Sequence, residues 1–402
     1  MIEGMDRRIV VVGGGPAGLY SAYLVKKKNP NILVTLFEEH SEIGIPICCS
    51  GLIGIDGLKK TDLLKYIIIN DCVDNKVKGA NIYGPYKSYF KVLSKVDKAY
   101  VLDRGKFDKK IRDLALSVGV EIVYDSRVVD VKENTVFVDD LKKNCSTEYK
   151  FDFLIGADGP NSIVRKTCFP EYKDIEKEFI IGYQIYVEGE FTKNKVDLYF
   201  NDFSRGLFSW VVPESGSSAK IGIGVSLSSD SKRKNNPKEQ LYEFIKKNNI
   251  IYDKETSFCS ALLPISKPLS NFVKDNVIII GDAGCFVKVT TGGGVNFGLM
   301  SAKIAANAIT NRIKDFKKLE SYNKDIKRYV SELNLHYKIR RYILSKSNSE
   351  LDELIQKLND IGISSILEKE GDIDYPSLFI RKLFFNRKFF SLFRELIKFL
   401  KS

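Results

Sequence analysis

The start of the chain contains the feature that most restricts its fold. A run of branched apolar residues at 9–12 is followed by the glycine turn GGGPAG at 13–18, an apolar stretch, and a second branched run that ends at Glu38. This order predicts a buried strand, a helix and a second strand, with the motif G-x-G-x-x-G in the first turn. A dinucleotide-binding unit requires an acid about twenty residues after the last glycine, where Glu38 stands. The sequence therefore predicts a Rossmann-like βαβ unit.

Each part of this unit has a physical role in binding a dinucleotide. Gly13 permits the tight turn, Gly15 lets a pyrophosphate approach the backbone, and Gly18 lets the helix pack closely on the strand. The helix N-terminus offers free N–H groups to the phosphates, and Glu38 would accept hydrogen bonds from a ribose. The motif does not separate FAD from NAD. The predicted cofactor contacts in this unit are Gly13, Gly15, Pro16, Ala17, Gly18 and Glu38.

Composition and charge restrict the class of protein. The 402 residues are 44% hydrophobic and 28% charged, which is typical of a folded chain with more than one lobe. No run approaches the ~20 apolar residues of a membrane span, and residues 1–8 lack the apolar core of a signal peptide, so we expect a cytoplasmic protein. The net charge of +12 suggests an anionic partner, such as lipid headgroups, nucleic acid or a phosphorylated substrate.

Cysteine and histidine usage argues against disulfide and metal chemistry. The seven cysteines show no paired metal spacing, and their odd number argues against a disulfide framework. With His40 and His336 as the two histidines, a histidine-based metal site or a Ser-His-Asp triad is not expected. We therefore expect no metal and a reducing compartment.

The loop after the second predicted strand carries two adjacent cysteines. Cys48 and Cys49 lie between Gly44 and Gly51, directly after the strand that ends at Glu38. Ligands of open α/β sheets bind beyond the carboxyl ends of the strands, so this loop is expected near the cofactor. The alternative is that both cysteines are small buried hydrophobic side chains, as free cysteines usually are.

The remaining chain alternates short strands and helices. Apolar residues at helical spacing predict a helix from Arg104 that ends at Gly119. Strands are predicted at 67–69, 80–83 and 89–92, then in hairpin-like succession at 121–124, 128–131, 136–138 and 148–151, and as an antiparallel sheet with an aromatic face at 179–187, 196–200, 206–211 and 219–227. Residues 316–402 are predicted to be helical.

The last predicted helix, 379–402, is strongly basic. It has seven lysines and arginines against Glu395, with apolar residues at helical spacing. This pattern fits a helix docked on the core with a basic solvent face, and it fits equally well a helix that lies on a membrane surface.

Two more predicted strand ends place an acid beside a glycine turn. Residues 153–156 run into Asp158-Gly159, and residues 276–280 run into Gly281-Asp282. Three glycines at 292–294 then precede an alanine-rich helix, which repeats the anion-binding geometry of the first motif. Asp282 is expected to bind polyol hydroxyls, because a carboxylate beside a phosphate would be repelled.

The order of these three motifs resembles FAD proteins of the p-hydroxybenzoate hydroxylase fold. The resemblance implies that Glu38 contacts the adenosine ribose, that Arg104 lies on the FAD, and that Asp282 contacts the ribityl chain. Further stretches resemble the geranylgeranyl reductases. PICCSG at 46–51 is similar to their Pro-x-x-Cys-x-Gly, with Cys49 on the cysteine, and FSWVVP at 208–213 with IGIG at 221–224 is similar to their aromatic-x-Trp-x-Phe-Pro and Val-Gly-x-Gly.

The resemblance covers about residues 7–315. It includes one more similar stretch, and the chain differs from the family at three positions. KVTTGGG at 288–294 is similar to the Lys-Pro-Thr-Thr-Gly-Gly-Gly of archaeal members. Val212 replaces the family's phenylalanine, Val289 replaces its proline, and Cys48 occupies a position that is often polar. These departures concern the chain length and headgroup of the substrate more than the class of reaction.

The resemblance implies a mixed α/β protein. Its Rossmann-like FAD-binding domain is joined by an antiparallel-sheet substrate domain and a helical C-terminal region. The boundaries implied are 1–178 for the first part of the FAD-binding domain, with a substrate-side insertion at about 45–100, 179–265 for the substrate domain, 266–330 for the second part of the FAD-binding domain, and 331–402 for the helices.

The resemblance also assigns site residues. Cys49 and Trp210 are implied to be catalytic, with no metal ligand. The substrate contacts implied are Phe208, Trp210, Pro213 and Lys288. The cofactor contacts implied are Gly13, Gly15, Pro16, Ala17, Gly18, Glu38, Cys49, Ser50, Gly51, Arg104, Asp158, Gly159, Gly281, Asp282, Gly293, Gly294 and Val295.

The implied function is the reduction of isolated C=C bonds in geranylgeranyl groups of archaeal-type membrane lipids or their precursors. Reduced FAD supplies the hydride, and NADPH, NADH or reduced ferredoxin supplies the electrons. The partners expected are the lipid and a ferredoxin, with no nucleic acid, and the basic segment 379–402 suggests a peripheral contact with the inner membrane surface. Two alternatives share the FAD motifs: a monooxygenase of the same fold, and a non-catalytic lipid-binding or electron-transfer flavoprotein.

Overall fold

The computed structural model describes residues 7–86, 88–172, 174–204, 206–226, 236–378 and 380. The strands are β1 Arg8–Val12, β2 Leu33–Phe37, β3 Leu52–Gly54, β4 Val73–Val77, β5 Gly79–Tyr83, β6 Tyr89–Leu93, β7 Ala99–Leu102, β8 Glu121–Val123, β9 Ser126–Lys132, β10 Thr135–Asp140, β11 Cys145–Lys150, β12 Phe153–Gly156, β13 Ile180–Glu188, β14 Lys195–Tyr199, β15 Gly206–Pro213, β16 Ser218–Ser226, β17 Lys254–Leu263, β18 Val273–Lys274 and β19 Val277–Ile279. The helices are α1 Pro16–Lys28, α2 Ile55–Lys59, α3 Leu64–Ile69, α4 Arg104–Ser117, α5 Ile163–Cys168, α6 Pro237–Lys247, α7 Val295–Asp315, α8 Ser321–Leu344, α9 Asn348–Asp360 and α10 Ile363–Glu370.

The predicted βαβ unit is confirmed as β1, α1 and β2. It forms the middle of a six-stranded sheet in the order β18-β19-β12-β1-β2-β8, and β1 pairs in parallel with both β2 and β12. All three glycine motifs of the sequence therefore follow neighbouring strands of this sheet. Their turns lie at one edge, because parallel strands end on the same side.

A seven-stranded sheet faces this edge. Its order is β17-β13-β16-β15-β14-β5-β6, and all its pairings are antiparallel except β14 with β5. The antiparallel strands predicted after residue 179 are confirmed, and strands β5 and β6 from the earlier part of the chain extend the same sheet. One face of the sheet packs on α6 through Leu241 and Phe244, both fully buried.

Two strand predictions are wrong. Residues 67–69 belong to helix α3, with Ile67 buried but Ile68 and Ile69 50% and 69% exposed. Such a branched run favours a strand only where both faces are buried, so local packing overrides its propensity here. Strand β8 is not part of a hairpin succession. It follows α4 and pairs in parallel with β2, whereas β9, β10 and β11 form their own three-stranded sheet.

Helices complete the chain, as predicted for the part of residues 316–402 that the structure describes. Helix α7 lies on α1 through small buried residues, among them Ala302, Ala305 and Ala306. The basic segment 379–402 lies, except for Ile380, outside the described residues. None of the helices in the described part of the chain is long and apolar enough to cross a membrane.

Candidate active site

The first glycine turn leaves open space where a diphosphate would lie. Gly13 has a φ of +100°, and a Cβ there would clash with the carbonyl oxygen of Ala157, so the turn requires glycine. A Cβ on Gly15 would meet no atom within 4 Å. Helix α1 begins at Pro16 with no side-chain cap, so its first N–H groups point into this space.

Glu38 lies at the end of β2 beside the same turn. Its Oε2 accepts a hydrogen bond of 2.6 Å from the backbone N–H of Gly14, and its Oε1 accepts one of 3.0 Å from the N–H of His40. These bonds hold the buried carboxylate in place at the edge of the turn. The open turn and the fixed acid fit the adenosine diphosphate half of FAD.

Asp158 has a structural role that sequence reasoning did not predict. Its Oδ1 accepts the Ser162 hydroxyl at 2.6 Å, and its Oδ2 accepts the N–H of Val164 at 3.1 Å, so the carboxylate holds the start of α5. Burial raises the pKa of this carboxyl above its usual range. The neighbouring Gly159, with φ of +73° and no atom within 4 Å of its Cβ position, leaves space beside Asp158.

A second cluster joins the cysteine loop to the last glycine motif. The Arg104 guanidinium forms two hydrogen bonds with Asp108, of 3.1 and 3.0 Å, and reaches the Cys49 thiol as well. Asp282 lies within reach of the Arg104 charge, and its Oδ1 is 2.8 Å from the Cβ position of Gly294. Burial raises the pKa of Asp282 to about 6, although the Arg104 charge acts in the opposite direction.

The turn at 288–294 leads directly into α7. The N–H of Gly292 donates to the Lys288 carbonyl at 2.8 Å, and the N–H of Lys288 donates to the Gly293 carbonyl at 3.1 Å. Helix α7 begins at Val295 without a side-chain cap on its N-terminus. The first turn of α7 therefore offers its N–H groups near Asp282, a second place that fits an oxygen-rich part of FAD.

A cavity of about 480 Å³ separates these loops from the seven-stranded sheet. That volume is within the range of small-molecule sites. The loop Cys48–Ser50 and the turn 290–295 form one side, residues 371–374 and Leu367 form another, and the sheet forms the third. The sheet side is apolar and includes Ile82, Val92, Val196, Leu198, Phe208, Trp210 and Val212.

Trp210 has the hydrogen-bond partner that a half-buried indole needs. Its Nε1–H donates to Gln184 Oε1 at 3.1 Å, and Phe208 lies edge-on to it with ring centroids 6.0 Å apart. The predicted aromatic face of the sheet is divided. Tyr183 and Tyr199 pack on the α6 side, because successive residues of a strand point to opposite faces.

Three of the four residues implied to contact the substrate lie at the cavity. Phe208, Trp210 and Lys288 line the cavity, but Pro213 does not. Its neighbour Val212 points into the cavity, so Pro213 points away, and its carbonyl accepts a hydrogen bond of 2.8 Å from Asn75.

Sequence reasoning missed a buried polar group at one end of the cavity. Lys288 forms an ion pair with Asp374, which is fully buried and also accepts a hydrogen bond of 2.7 Å from Asn296. Burial opposes ionisation of Asp374, but Lys288 and Asn296 hold its pKa below the usual range. A Cβ on Gly54 would lie 2.6 Å from the Asp374 carboxylate, so the site requires glycine there.

His336 belongs to the same group. Its Nε2 lies 3.3 Å from the Asp374 carbonyl oxygen, and its Nδ1 lies 2.6 Å from the Thr290 hydroxyl. Burial and the Lys288 charge lower its pKa to about 4, so the ring is neutral near pH 7. No local signal marks these residues, because Asp374 and His336 are brought to Lys288 by the tertiary fold.

One disulfide is present that the sequence did not predict, although the odd number of cysteines argued only against a disulfide framework. Cys48 and Cys259 form a disulfide with Cα atoms 5.4 Å apart and 211 residues between them in sequence. An odd number of cysteines excludes a complete framework but not a single bridge. Cys48 is therefore neither a free thiol nor a simple packing residue. Cys49 is one of the free cysteines, and its sulfur accepts the N–H of Gly51 at 3.4 Å.

Comparison with known proteins supports a flavin-dependent enzyme. The family model described as tryptophan halogenase matches residues 65–347, and a model described as an NAD(P)-binding Rossmann-like domain matches residues 11–47. Digeranylgeranylglycerophospholipid reductase 3 of Methanosphaera stadtmanae is 27% identical, over 94% of this chain and 98% of that protein.

Two solved structures show the same fold. A geranylgeranyl bacteriochlorophyll reductase-like protein from Thermoplasma acidophilum has a TM-score of 0.81 at 22% identity, and the match covers 98% of this chain and 99% of that one. The flavin-dependent brominase Bmp2 has a TM-score of 0.69 at 17% identity, with 93% and 97% covered. The chain therefore belongs to the flavoprotein family of the tryptophan halogenase model, as a flavin-dependent oxidoreductase whose curated relatives include digeranylgeranylglycerophospholipid reductases.

Proposed function

We propose that this enzyme reduces isolated C=C bonds in geranylgeranyl groups of isoprenoid membrane lipids or their precursors. The observation that carries the proposal is the cavity itself. Its sheet side is apolar, as a prenyl chain requires, and its other side carries Cys49 and the turn 290–295, which belong to the FAD-binding elements. The curated relatives named digeranylgeranylglycerophospholipid reductases support the same substrate class.

The chemical difficulty is that an isolated alkene accepts hydride poorly. Reduced FAD supplies the hydride when it is bound, and a proton delivered to the other alkene carbon lowers the barrier. The apolar wall excludes water from the alkene. Trp210, held by Gln184, limits where the chain can lie. Cys49 lies at the cavity beside the Arg104 guanidinium, where its side chain, or a water that it holds, is placed to deliver the proton.

The reaction also needs a source of electrons and a route by which the lipid reaches the cavity. Electrons come from a nicotinamide cofactor, NADPH or NADH, or from a reduced ferredoxin. The lipid comes from an anionic membrane to which the basic segment 379–402 binds. Support for this route is positional: residues 371–374 line the cavity, and the basic segment follows them closely in the chain.

Product analysis under anaerobic conditions tests the proposal. The dithionite-reduced protein is incubated with a geranylgeranyl lipid, and the lipid is examined by mass spectrometry. We expect a gain of two hydrogen atoms for each bond reduced, without oxygen. A product that forms only with oxygen would identify a monooxygenase, and a halogenated product formed with oxygen and halide would identify a halogenase. Unchanged lipid would leave a binding or electron-transfer protein.

A further inference from the structure

The Cys48–Cys259 disulfide connects the edge of the large sheet to the cavity. Cys48 lies in the loop after β2 and lines the cavity beside Cys49. Cys259 lies on β17, the outermost strand of the seven-stranded sheet, and both cysteines are partly exposed. The bridge therefore joins a partly exposed position on the edge strand to the wall of the cavity.

The surroundings of the bridge would stabilise thiolates. Gln184 Nε2 and the Tyr186 hydroxyl both lie 3.9 Å from the Cys259 sulfur. On the Cys48 side, the buried Lys220 ammonium donates to the carbonyl of Ser50 at 3.3 Å and forms an ion pair with Glu214 at 2.8 Å. The two groups beside the Cys259 sulfur can act as hydrogen-bond donors, which favour the thiolate, both the attacking and the leaving form in disulfide exchange.

The position of the bridge, and not its cross-linking effect, points to a further role. A disulfide stabilises mainly by restricting the unfolded chain, and that effect depends on the length of the loop it closes, not on what the bridge touches. This bridge instead lies next to Cys49 and in the wall of the same cavity as the turn 290–295.

We propose that Cys48–Cys259 is a redox-active disulfide that passes two electrons from an external dithiol to the flavin. The inference rests on the proposed flavin site and adds a further class of electron donor to the nicotinamide cofactor and ferredoxin of the proposed function. The donor is identified by its chemistry, a reduced dithiol.

The two electrons and two protons of the dithiol reach the flavin in three steps. A thiolate of the donor attacks the Cys259 sulfur, the disulfide breaks, and Cys48 leaves as a thiolate at the cavity. The second thiol of the donor then attacks the mixed disulfide, so the donor departs as a disulfide and Cys259 is freed. Cys48 and Cys259 now hold two electrons and two protons. Both pass to oxidised FAD as the bridge re-forms, so one dithiol and one FAD become one disulfide and one reduced FAD.

Flavin bleaching by dithiothreitol tests this route in the purified FAD-loaded protein without oxygen. We expect the wild-type absorbance of oxidised flavin to fall with a rate that depends on dithiothreitol concentration. Cys48→Ser and Cys259→Ser should bleach slower by an order of magnitude or more, because neither can form the bridge. Cys72→Ser is the matched control, since Cys72 is a buried free cysteine, and it should bleach like wild type.

Two further measurements keep the result independent of folding and of the proposed function. Cys259→Ser, which lies outside the cavity lining, should keep its FAD. After reduction by dithionite it should still reduce lipid, because dithionite reduces the flavin without the bridge. Alkylation should label Cys48 and Cys259 only after dithiothreitol treatment. Equal bleaching of all variants, or labelling of both cysteines before treatment, would overturn the relay. Loss of lipid reduction in the dithionite-reduced wild type would instead overturn the proposed function.

Discussion

The indole of Trp210 occupies the space that a side chain at Gly222 would need. A Cβ built on Gly222 would overlap ring atoms of Trp210 on the neighbouring strand. Gly222 belongs to the IGIG stretch at 221–224 and Trp210 to FSWVVP at 208–213, so these two sequence motifs meet as one packing unit. The glycine lets the ring lie against the sheet, where Gln184 fixes its N–H.

Gly222→Ala should therefore displace Trp210 into the cavity without touching the FAD-binding turns. We expect FAD content close to wild type and lipid reduction lowered through a raised KM, because the ring would fill space that the prenyl chain uses. Overpacking of this kind typically costs about 1–3 kcal/mol. Gly216→Ala is the control, since a Cβ at that position would meet only the flexible end of the Lys193 side chain. Equal KM values for Gly222→Ala and Gly216→Ala would show that the contact between Gly222 and Trp210 does not affect lipid reduction.

Glu38→Ala should weaken FAD binding while leaving the fold intact. The carboxylate is held at the end of β2 beside an open glycine turn. Loss of charge-assisted hydrogen bonds to the ribose should cost about 1.5–3 kcal/mol, measured as FAD affinity by fluorescence titration. Glu39→Ala serves as the control, because Glu39 is exposed and pairs with Arg127 on the surface. Unchanged affinity in Glu38→Ala would remove Glu38 from the cofactor site.

His336 predicts a dependence of stability on acid pH. Its pKa is about 4 in the folded protein against an ordinary value of 6.5, because burial and Lys288 disfavour the charged ring. Between the two pKa values, the unfolded chain therefore binds a proton at His336 that the folded chain does not bind. The stability that the neutral, buried His336 contributes is complete above pH 6.5 and is lost as the pH falls toward 4.

The expected loss from this group is on the order of 3 kcal/mol below both pKa values. Urea unfolding as a function of pH measures it. His336→Gln should be less stable than wild type at neutral pH but should lose less stability between pH 6.5 and 4. Parallel curves for the two proteins would show that His336 does not titrate as the structure requires.

Much of the dinucleotide-binding unit could be predicted from the sequence, because the residues that indicate it lie close together in the chain. The glycine turn, the branched strands and Glu38 lie within thirty residues, and each constrains its neighbours through backbone geometry. The pair Lys288–Asp374 and the bridge Cys48–Cys259 could not, because their partners are 86 and 211 residues apart and only the packed fold brings them together. The strand predicted at residues 67–69 is wrong for a related reason, because packing, and not propensity, decides the conformation of a short apolar run.

The basic segment 379–402 should bind anionic membranes. Seven basic residues against Glu395, with apolar residues at helical spacing, predict attraction to anionic lipid that salt weakens. Liposome sedimentation should show binding that rises with the fraction of anionic lipid and falls with ionic strength. A chain that ends before Phe379 should sediment less while keeping its FAD. Equal sedimentation of the truncated chain would assign the segment to packing alone.

The most direct test of the central claim is single-turnover reoxidation of reduced flavin by lipid, without oxygen, in wild type, Cys49→Ser and Cys48→Ser. Wild type prereduced with dithionite should recover the absorbance of oxidised flavin as a geranylgeranyl lipid is added, with matching loss of double bonds. Cys49→Ser should keep FAD and stability but lose most of this rate, because Cys49 is the cavity thiol beside Arg104. Cys48→Ser should stay close to wild type. Flavin that remains reduced in the wild type in the presence of lipid would contradict the account, and equal small losses in both variants would return Cys49 to a packing role.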